Sequence, residues 1–125
     1  MIFGVGIDLI EVERVAEKIS KEAGFRELVF SKMEIDYCEA KAKKYEHYAA
    51  RFAAKEAFFK ALGTGWAKDT AFNEIETTND ENGKPIISFL GKTAVTVAEL
   101  KLGKISVSLS HLKTMASAVV IIENR

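Results

Sequence analysis

Arg51-Phe52-Ala53-Ala54-Lys55-Glu56-Ala57-Phe58-Phe59-Lys60-Ala61-Leu62, followed at once by Gly63-Thr64-Gly65, is the stretch whose reading decides the fold. Ala, Lys, Glu, Leu and Arg dominate it and neither Gly nor Pro interrupts its first twelve residues, so it reads as a helix. At roughly 100° per residue, Ala50, Ala54, Ala57 and Ala61 form a small-residue stripe, while Phe52 and Phe59 stand almost opposite. A helix apolar on two opposed sides is expected to be sandwiched within a fold. Glu56 and Lys60 lie one turn apart beside Ala49 and Ala53, and so face a place with room beside it. The same pair also fits an ordinary surface ion pair contributing about 0.3 kcal/mol, and spacing alone does not separate the two readings.

Upstream, Ile2 to Ile10 reads as a strand, with Phe3, Val5, Ile7 and Leu9 on one face and Gly4, Gly6 and Asp8 on the other. The apolar face is expected to form core. The second face is bare backbone ending in a carboxylate, and alternate glycines mark a close approach, either by a helix or by a ligand with Asp8 as its polar contact. Glu11 to Glu22 carries Val12, Val15, Ala16 and Ile19 at helical spacing. Its outer Arg14, Lys18 and Lys21 are interleaved with Glu13 and Glu17, the pattern of a solvated face. Gly24 breaks the pattern, and Phe25 to Phe30 makes a short apolar turn. Ser31 with Glu34 three residues on is a capping box, opening a second helix through Ile35, Tyr37, Cys38 and Ala42. A loop or kink is expected near Tyr45 to Tyr48, ahead of the central helix.

Downstream, Gly63 is placed as a helix C-cap, and Gly65-Trp66 extends an open loop whose glycines are weak evidence of phosphate binding. Phe72 to Thr77 alternates as a strand, Asn82-Gly83 is a strong hairpin signal, and Pro85 to Leu90 returns as the partner. Lys92 to Leu102 reads as a helix ended by Gly103. Lys104 to His111 alternates, with Ile105, Val107 and Leu109 inward and Ser106, Ser108 and Ser110 outward. Ala116 to Ile122 is a buried or interface strand, reached through a turn at Leu112 to Met115. His111, read alone, is a structural histidine as readily as a catalyst.

The 125 residues make one domain, 1–125. Lys+Arg and Asp+Glu number 18 each, a balance that argues against a general nucleic-acid binder. The longest apolar run is too short to span a bilayer, and no basic segment precedes the first one as in a signal peptide. The single cysteine, Cys38, excludes an internal disulfide and a multi-Cys metal site, as in a reducing compartment. A cytoplasmic protein without membrane or nucleic-acid partners is expected.

Asp8 and Glu56 are candidates for a magnesium site, because Mg²⁺ is held by one or two carboxylates while substrate phosphates and waters complete its octahedron. Lys60 one turn on, with the glycine loop after it, suits the remaining charge of a phosphorylated substrate. Residue chemistry thus points to Mg²⁺-assisted reaction at a pyrophosphate and does not choose the acceptor.

Four segments make the reading specific. Gly4-Val5-Gly6-Ile7-Asp8-Leu9-Ile10-Glu11 with Arg14, then Arg51 to Gly65, then Asn82-Gly83-Lys84-Pro85, then Ser108-Leu109-Ser110-His111 resemble the holo-acyl-carrier-protein synthases, the short-chain group of 4′-phosphopantetheinyl transferases. The resemblance spans essentially the whole chain in order and spacing. It implies an α+β fold, antiparallel strands packed around a long buried central helix. It implies Mg²⁺-dependent transfer of 4′-phosphopantetheine from coenzyme A to a serine of apo-acyl carrier protein, releasing adenosine 3′,5′-bisphosphate, in fatty-acid and lipid biosynthesis. Asp8 and Glu56 match the metal ligands, and Glu56 and Lys60 the catalytic positions. Lys55, Lys60, Gly63, Thr64, Gly65, Asn82, Gly83, Pro85, Ser110 and His111 match segments lining the nucleotide. Arg14, Lys18, Lys21, Phe25 and Arg26 match the region that docks the carrier protein. The family forms homotrimers with active sites at subunit interfaces, so Ser110 and His111 are expected to act across such a boundary. Leu112 and Met115 stand where family members often have a small polar residue and an aromatic. The base for the acceptor serine is left open between Glu56 and a water at the metal. Two other readings are a metal-dependent hydrolase of coenzyme A or nucleotides, and a non-catalytic carrier-binding module.

Overall fold

A computed structural model describes residues 1–65 and 68–125; Trp66, placed by sequence in an open loop, lies outside the described residues. The described elements run β1 (Ile2–Glu11), α1 (Val12–Lys21), α2 (Phe25–Val29), α3 (Lys32–Glu39), α4 (Lys44–Leu62), a 3₁₀ turn (Phe72–Glu74), β2 (Ile75–Asn79), β3 (Pro85–Phe89), α5 (Gly91–Glu99), β4 (Ile105–His111) and β5 (Met115–Glu123). This is the expected α+β arrangement. β1, β5 and β4 form one antiparallel sheet in that order, and β2 pairs only with β3 in a separate hairpin. Among the described residues, no helix is long and apolar enough to cross a membrane.

The central helix α4 lies against the glycine face of β1. A Cβ on Gly4 would stand 1.9 Å from the Ala61 carbonyl oxygen, and one on Gly6 1.9 Å from that of Ala57. Strand backbone therefore meets helix backbone directly, and the alanine stripe of α4 provides the matching absence of side chain. Ala53, Ala54 and Ala57 are fully buried in this contact region, with Val120 and Ile122 of β5 in the same core.

The close approach reverses the expected orientation of β1. Phe3, Val5, Ile7 and Leu9, expected in the core, point away from α4 and are 48%, 55%, 66% and 65% exposed. Only the glycine face lets a helix backbone come this near, so the helix takes that face and the apolar one is left bare. Val5 pairs across to Ile121 and Ile7 to Val119, which extends the bare apolar surface onto β5. On β4 the expected alternation holds: Val107 is buried, Ile105 and Leu109 pack partly against the core, and Ser108 and Ser110 are exposed.

Several boundaries differ from expectation: α3 stops at Glu39, short of Ala42, and α5 at Glu99, short of Leu102, so that Leu100 and not Gly103 follows its end. α4 begins at Lys44, so Tyr45 to Tyr48 is helical and the break falls just before it. Burial explains this: Tyr48 is fully enclosed, its ring 4.8 Å from that of Phe30, and Glu46 is buried against His111. The strand expected from Phe72 starts only at Ile75, because Glu74 turns aside to cap α5, its Oε1 accepting from Thr93 N (3.0 Å) and Thr93 Oγ1 (2.7 Å). The capping box of α3 is present, Ser31 Oγ accepting from Glu34 N at 3.2 Å and Ser31 N donating to Glu34 Oε1 at 3.0 Å.

Candidate active site

Asp8 is the next residue in the series Gly4, Gly6, so the strand that admits α4 also aims a carboxylate at it. Lys60 Nζ donates to Asp8 Oδ1 at 3.0 Å and to the Ile7 carbonyl at 3.1 Å. Asp8 and Glu56 border one cleft of about 300 Å³, together with Arg14, Lys18, Phe25 and Phe52. Burial, then the charge of Asp8, raise the Glu56 carboxyl above its ordinary range, while Lys60 acts the other way. A carboxylate whose charge a neighbouring carboxylate disfavours is suited to sharing a cation with it. Among the described residues, no group of three His, Cys, Asp or Glu could hold a metal. The carboxylates bordering this cleft are Asp8 and Glu56, a pair that would suit Mg²⁺ taking its other ligands from phosphate and water.

Lys55 and Lys60 of α4 have different environments. Lys60 is more than half exposed at the cleft. Lys55, expected at the nucleotide, is wholly buried and donates to Glu34 Oε1 (2.7 Å), the Phe72 carbonyl (2.8 Å) and the Ile75 carbonyl. All three ammonium protons are engaged internally, so Lys55 lines neither cleft. Desolvation pulls it below the ordinary lysine range, with Glu34 opposing.

A second cleft of about 200 Å³ shares no lining residue with the first. Gly83 and Pro85 of the β2–β3 hairpin, Ser108 and His111 of β4, and His47 and Arg51 of α4 surround it. His111 Nδ1 lies 2.9 Å from Glu46 Oε1, and its ring is 5.0 Å from that of His47. Burial, then His111, lower the His47 pKa. The expected nucleotide residues thus divide. Lys60, Gly63, Thr64 and Gly65 lie at the C-terminal end of α4, with Gly63 at φ 82° as the expected cap. Gly83, Pro85 and His111 line the second cleft; Ser110, next to His111, is exposed, as is Asn82, whose backbone N–H is held by Asp80 Oδ1 at 2.8 Å.

Arg51 was not assigned a role from sequence. It is 2% exposed, its guanidinium sits 4.1 Å from the Tyr37 ring centroid, and Nη2 donates to Asn79 Oδ1 at 3.2 Å. Its buried Nε has no hydrogen-bond partner among the described residues, and the residue lines the second cleft. The available signal was an arginine directly beside the alanine stripe of a helix expected to be buried, where an uncompensated cation is costly.

Of the carrier-docking candidates, Arg14, Lys18 and Phe25 border the first cleft, with Lys18 Nζ 5.7 Å from the Phe25 ring centroid. Lys21 lines an adjoining groove with Arg14 and Lys18. Arg26 is engaged on the protein, 2.7 Å from Glu27 and 3.2 Å from Glu39. Leu112 is exposed, and its N–H closes the β4–β5 turn on the Met115 carbonyl at 2.7 Å.

Comparison with known proteins gives the family. The family described as the 4′-phosphopantetheinyl transferase superfamily matches residues 4–118. The holo-[acyl-carrier-protein] synthase of Cytophaga hutchinsonii is 47% identical over 124 residues, covering 97% of each chain. That of Ruminiclostridium cellulolyticum is 48% identical over 120 residues, covering 94% of this chain and 90% of its own. The crystal structure of the Neisseria meningitidis synthase superposes with a TM-score of 0.89 at 29% identity, covering 99% of this chain and 100% of that one. The Bacillus anthracis synthase in complex with CoA (3′,5′-ADP) gives a TM-score of 0.81 at 35% identity, covering 100% and 99%. The chain belongs to the 4′-phosphopantetheinyl transferase superfamily.

Proposed function

We propose that this chain transfers 4′-phosphopantetheine from coenzyme A to a serine of apo-acyl carrier protein, leaving adenosine 3′,5′-bisphosphate. The observation that carries the reading is the cleft bordered by Asp8 and Glu56, with Lys60 bonded to Asp8, beside the basic face of α1, in a chain nearly half identical to holo-[acyl-carrier-protein] synthases. The serine oxygen forms a bond to the phosphorus that bears pantetheine, and the bond from that phosphorus to the nucleotide's bridging oxygen breaks. Asp8 and Glu56 are the groups that would hold Mg²⁺, whose charge when bound offsets that of the pyrophosphate. Lys60, on a flexible exposed stem, reaches the departing phosphate and stabilises the charge left on it. The serine proton passes to a base, for which Glu56 stands within the cleft.

The nucleotide is assigned to Gly63, Thr64 and Gly65, to Asn82, Gly83 and Pro85, and to Ser110 and His111, with Arg51 added because it lines the same cleft as Gly83, Pro85 and His111. Arg14, Lys18, Lys21 and Phe25 receive the carrier. Arg26 joins them by exchanging Glu27 for an acidic group of the carrier. The contiguous bare apolar face of β1, with four large side chains exposed in a row, supports a homotrimer closed on that face. Such closure would let residues of the two clefts serve one donor molecule across a subunit boundary. The setting is cytoplasmic, supplying holo-carrier to fatty-acid synthesis.

Mass spectrometry of carrier protein incubated with coenzyme A tests the reading. The expected result is Mg²⁺-dependent addition of one phosphopantetheine, reduced roughly a thousandfold in folded Asp8→Ala and Glu56→Ala variants. Full activity in either variant overturns the metal assignment, and cleavage of coenzyme A without carrier overturns the transfer.

A further inference from the structure

Lys55 and Glu34 are wholly buried ions that the chemistry above leaves unused. Their bonds lead to different elements. Lys55, on α4, donates to Glu34 and to the carbonyls of Phe72 and Ile75. Glu34, on α3, accepts the Ser31 N–H on Oε1 at 3.0 Å and the Thr77 N–H on Oε2 at 2.9 Å. Ser31 Oγ in turn donates to Glu76 Oε2 at 2.7 Å. Every strand-side contact therefore falls at the base of the β2–β3 hairpin.

That hairpin shares no ladder with the β1-β5-β4 sheet, so strand pairing does not set its tilt. Burying an ion pair is costly where apolar side chains would pack, and the best-attested reason to keep one is to fix register. We propose that Lys55 and Glu34 are positioning residues: they clamp the base of β2 to the helix bearing Glu56 and Lys60, and so aim the hairpin tip, Asn82 to Pro85, at the coenzyme A nucleotide. This rests on the reading of that tip as a nucleotide contact. Lys55 adjoins Glu56 in the chain, so a roll of α4 that loses the clamp also turns Glu56.

Glu34→Gln separates the two ends of the clamp. Its carbonyl replaces Oε1 and keeps Ser31 N and Lys55, while its NH₂ meets the Thr77 N–H, donor against donor. The expected result in steady-state transfer is a KM for coenzyme A raised about tenfold, the scale of a small misplacement. In the same assay kcat and the KM for carrier stay within about twofold of wild type, and melting remains cooperative. Lys55→Met releases α4 as well and is expected to lower kcat in addition. An unchanged KM for coenzyme A in Glu34→Gln overturns the proposal, as does a parallel rise in both KM values or loss of the fold, which would make the pair a general structural support. Wild-type protein in the same assay tests the function separately: an inactive wild type overturns the transferase reading, whereas an active one beside an unaltered variant overturns only the positioning role.

Discussion

Toward α4, β1 offers Gly4, Gly6 and Asp8; away from it, the same strand offers Phe3, Val5, Ile7 and Leu9 to solvent. The first face carries almost no hydrophobic surface and is the buried one. What α4 needs there is proximity, since its Ala57 and Ala61 carbonyls occupy the space that strand side chains would fill. That proximity also makes the site, because it holds Asp8 within 3.0 Å of Lys60 and beside Glu56. The second face has hydrophobic surface to bury and no partner among the described residues. One face of β1 thus builds the cleft, and the other is the face proposed to meet a second copy.

Gly6→Val attacks the first face and carries the largest expected effect. Its Cβ would lie 1.9 Å from Ala57 O and 2.6 Å from Ala61 N, backbone atoms that cannot swing aside. α4 must lift, at a cost of about 3 kcal/mol or more in chemical denaturation. Stability near wild type would mean that helix and strand do not meet through backbone, and the contrast between the faces would collapse.

Much of this was legible in the sequence, and the misreadings share a cause. Periodicity separated Gly4, Gly6 and Asp8 from Phe3, Val5, Ile7 and Leu9, but it cannot say which face the chain itself covers; that depends on how near α4 comes. The capping box at Ser31 and Glu34 was readable because both partners are local. The second role of Glu34, closing on Lys55 and Thr77, was not, since those residues lie 21 and 43 positions away. For the same reason Lys55 read as a site lysine beside Glu56, although roughly 100° of helical rotation turns it into the protein. Asp8, Glu56 and Lys60 were legible as a set because a strand ending in an isolated acid and a helix with an acid and a lysine one turn apart each left a polar group unexplained.

Ile7→Glu tests the second face and should leave the fold intact. Ile7 is 66% exposed and lies opposite Val119, so a carboxylate there meets water in the single chain. In an assembly it would be buried unpaired, and the apolar contact it replaces contributes about 2 kcal/mol. Light scattering is expected to report a monomer with unchanged circular dichroism, against a trimer for wild type, and transfer activity should fall with assembly. A variant that still assembles would place the interface elsewhere and leave the apolar face without a partner.

The smallest effect belongs to the point where the glycine face ends in chemistry. The Glu56 carboxyl is raised by burial first and by Asp8 second, with Lys60 opposing, so the folded chain holds that proton more firmly than the unfolded chain does. Below the ordinary carboxylate range both states are protonated and nothing is lost. As pH rises through the raised value, folded Glu56 ionises against burial and Asp8 while the unfolded chain ionises freely, and stability falls. Metal-free Glu56→Gln should therefore melt above wild type at neutral pH and level with it below the ordinary carboxylate range, under about pH 4. Solvent screening in a half-open cleft keeps the difference near 2 °C. Mg²⁺ should reverse the order, stabilising wild type through its two carboxylates and leaving the variant almost unmoved. A glutamine variant that melts below metal-free wild type at neutral pH would show that Glu56 supports the fold as a carboxylate, and the cleft would lose its claim to a strained, cation-ready pair.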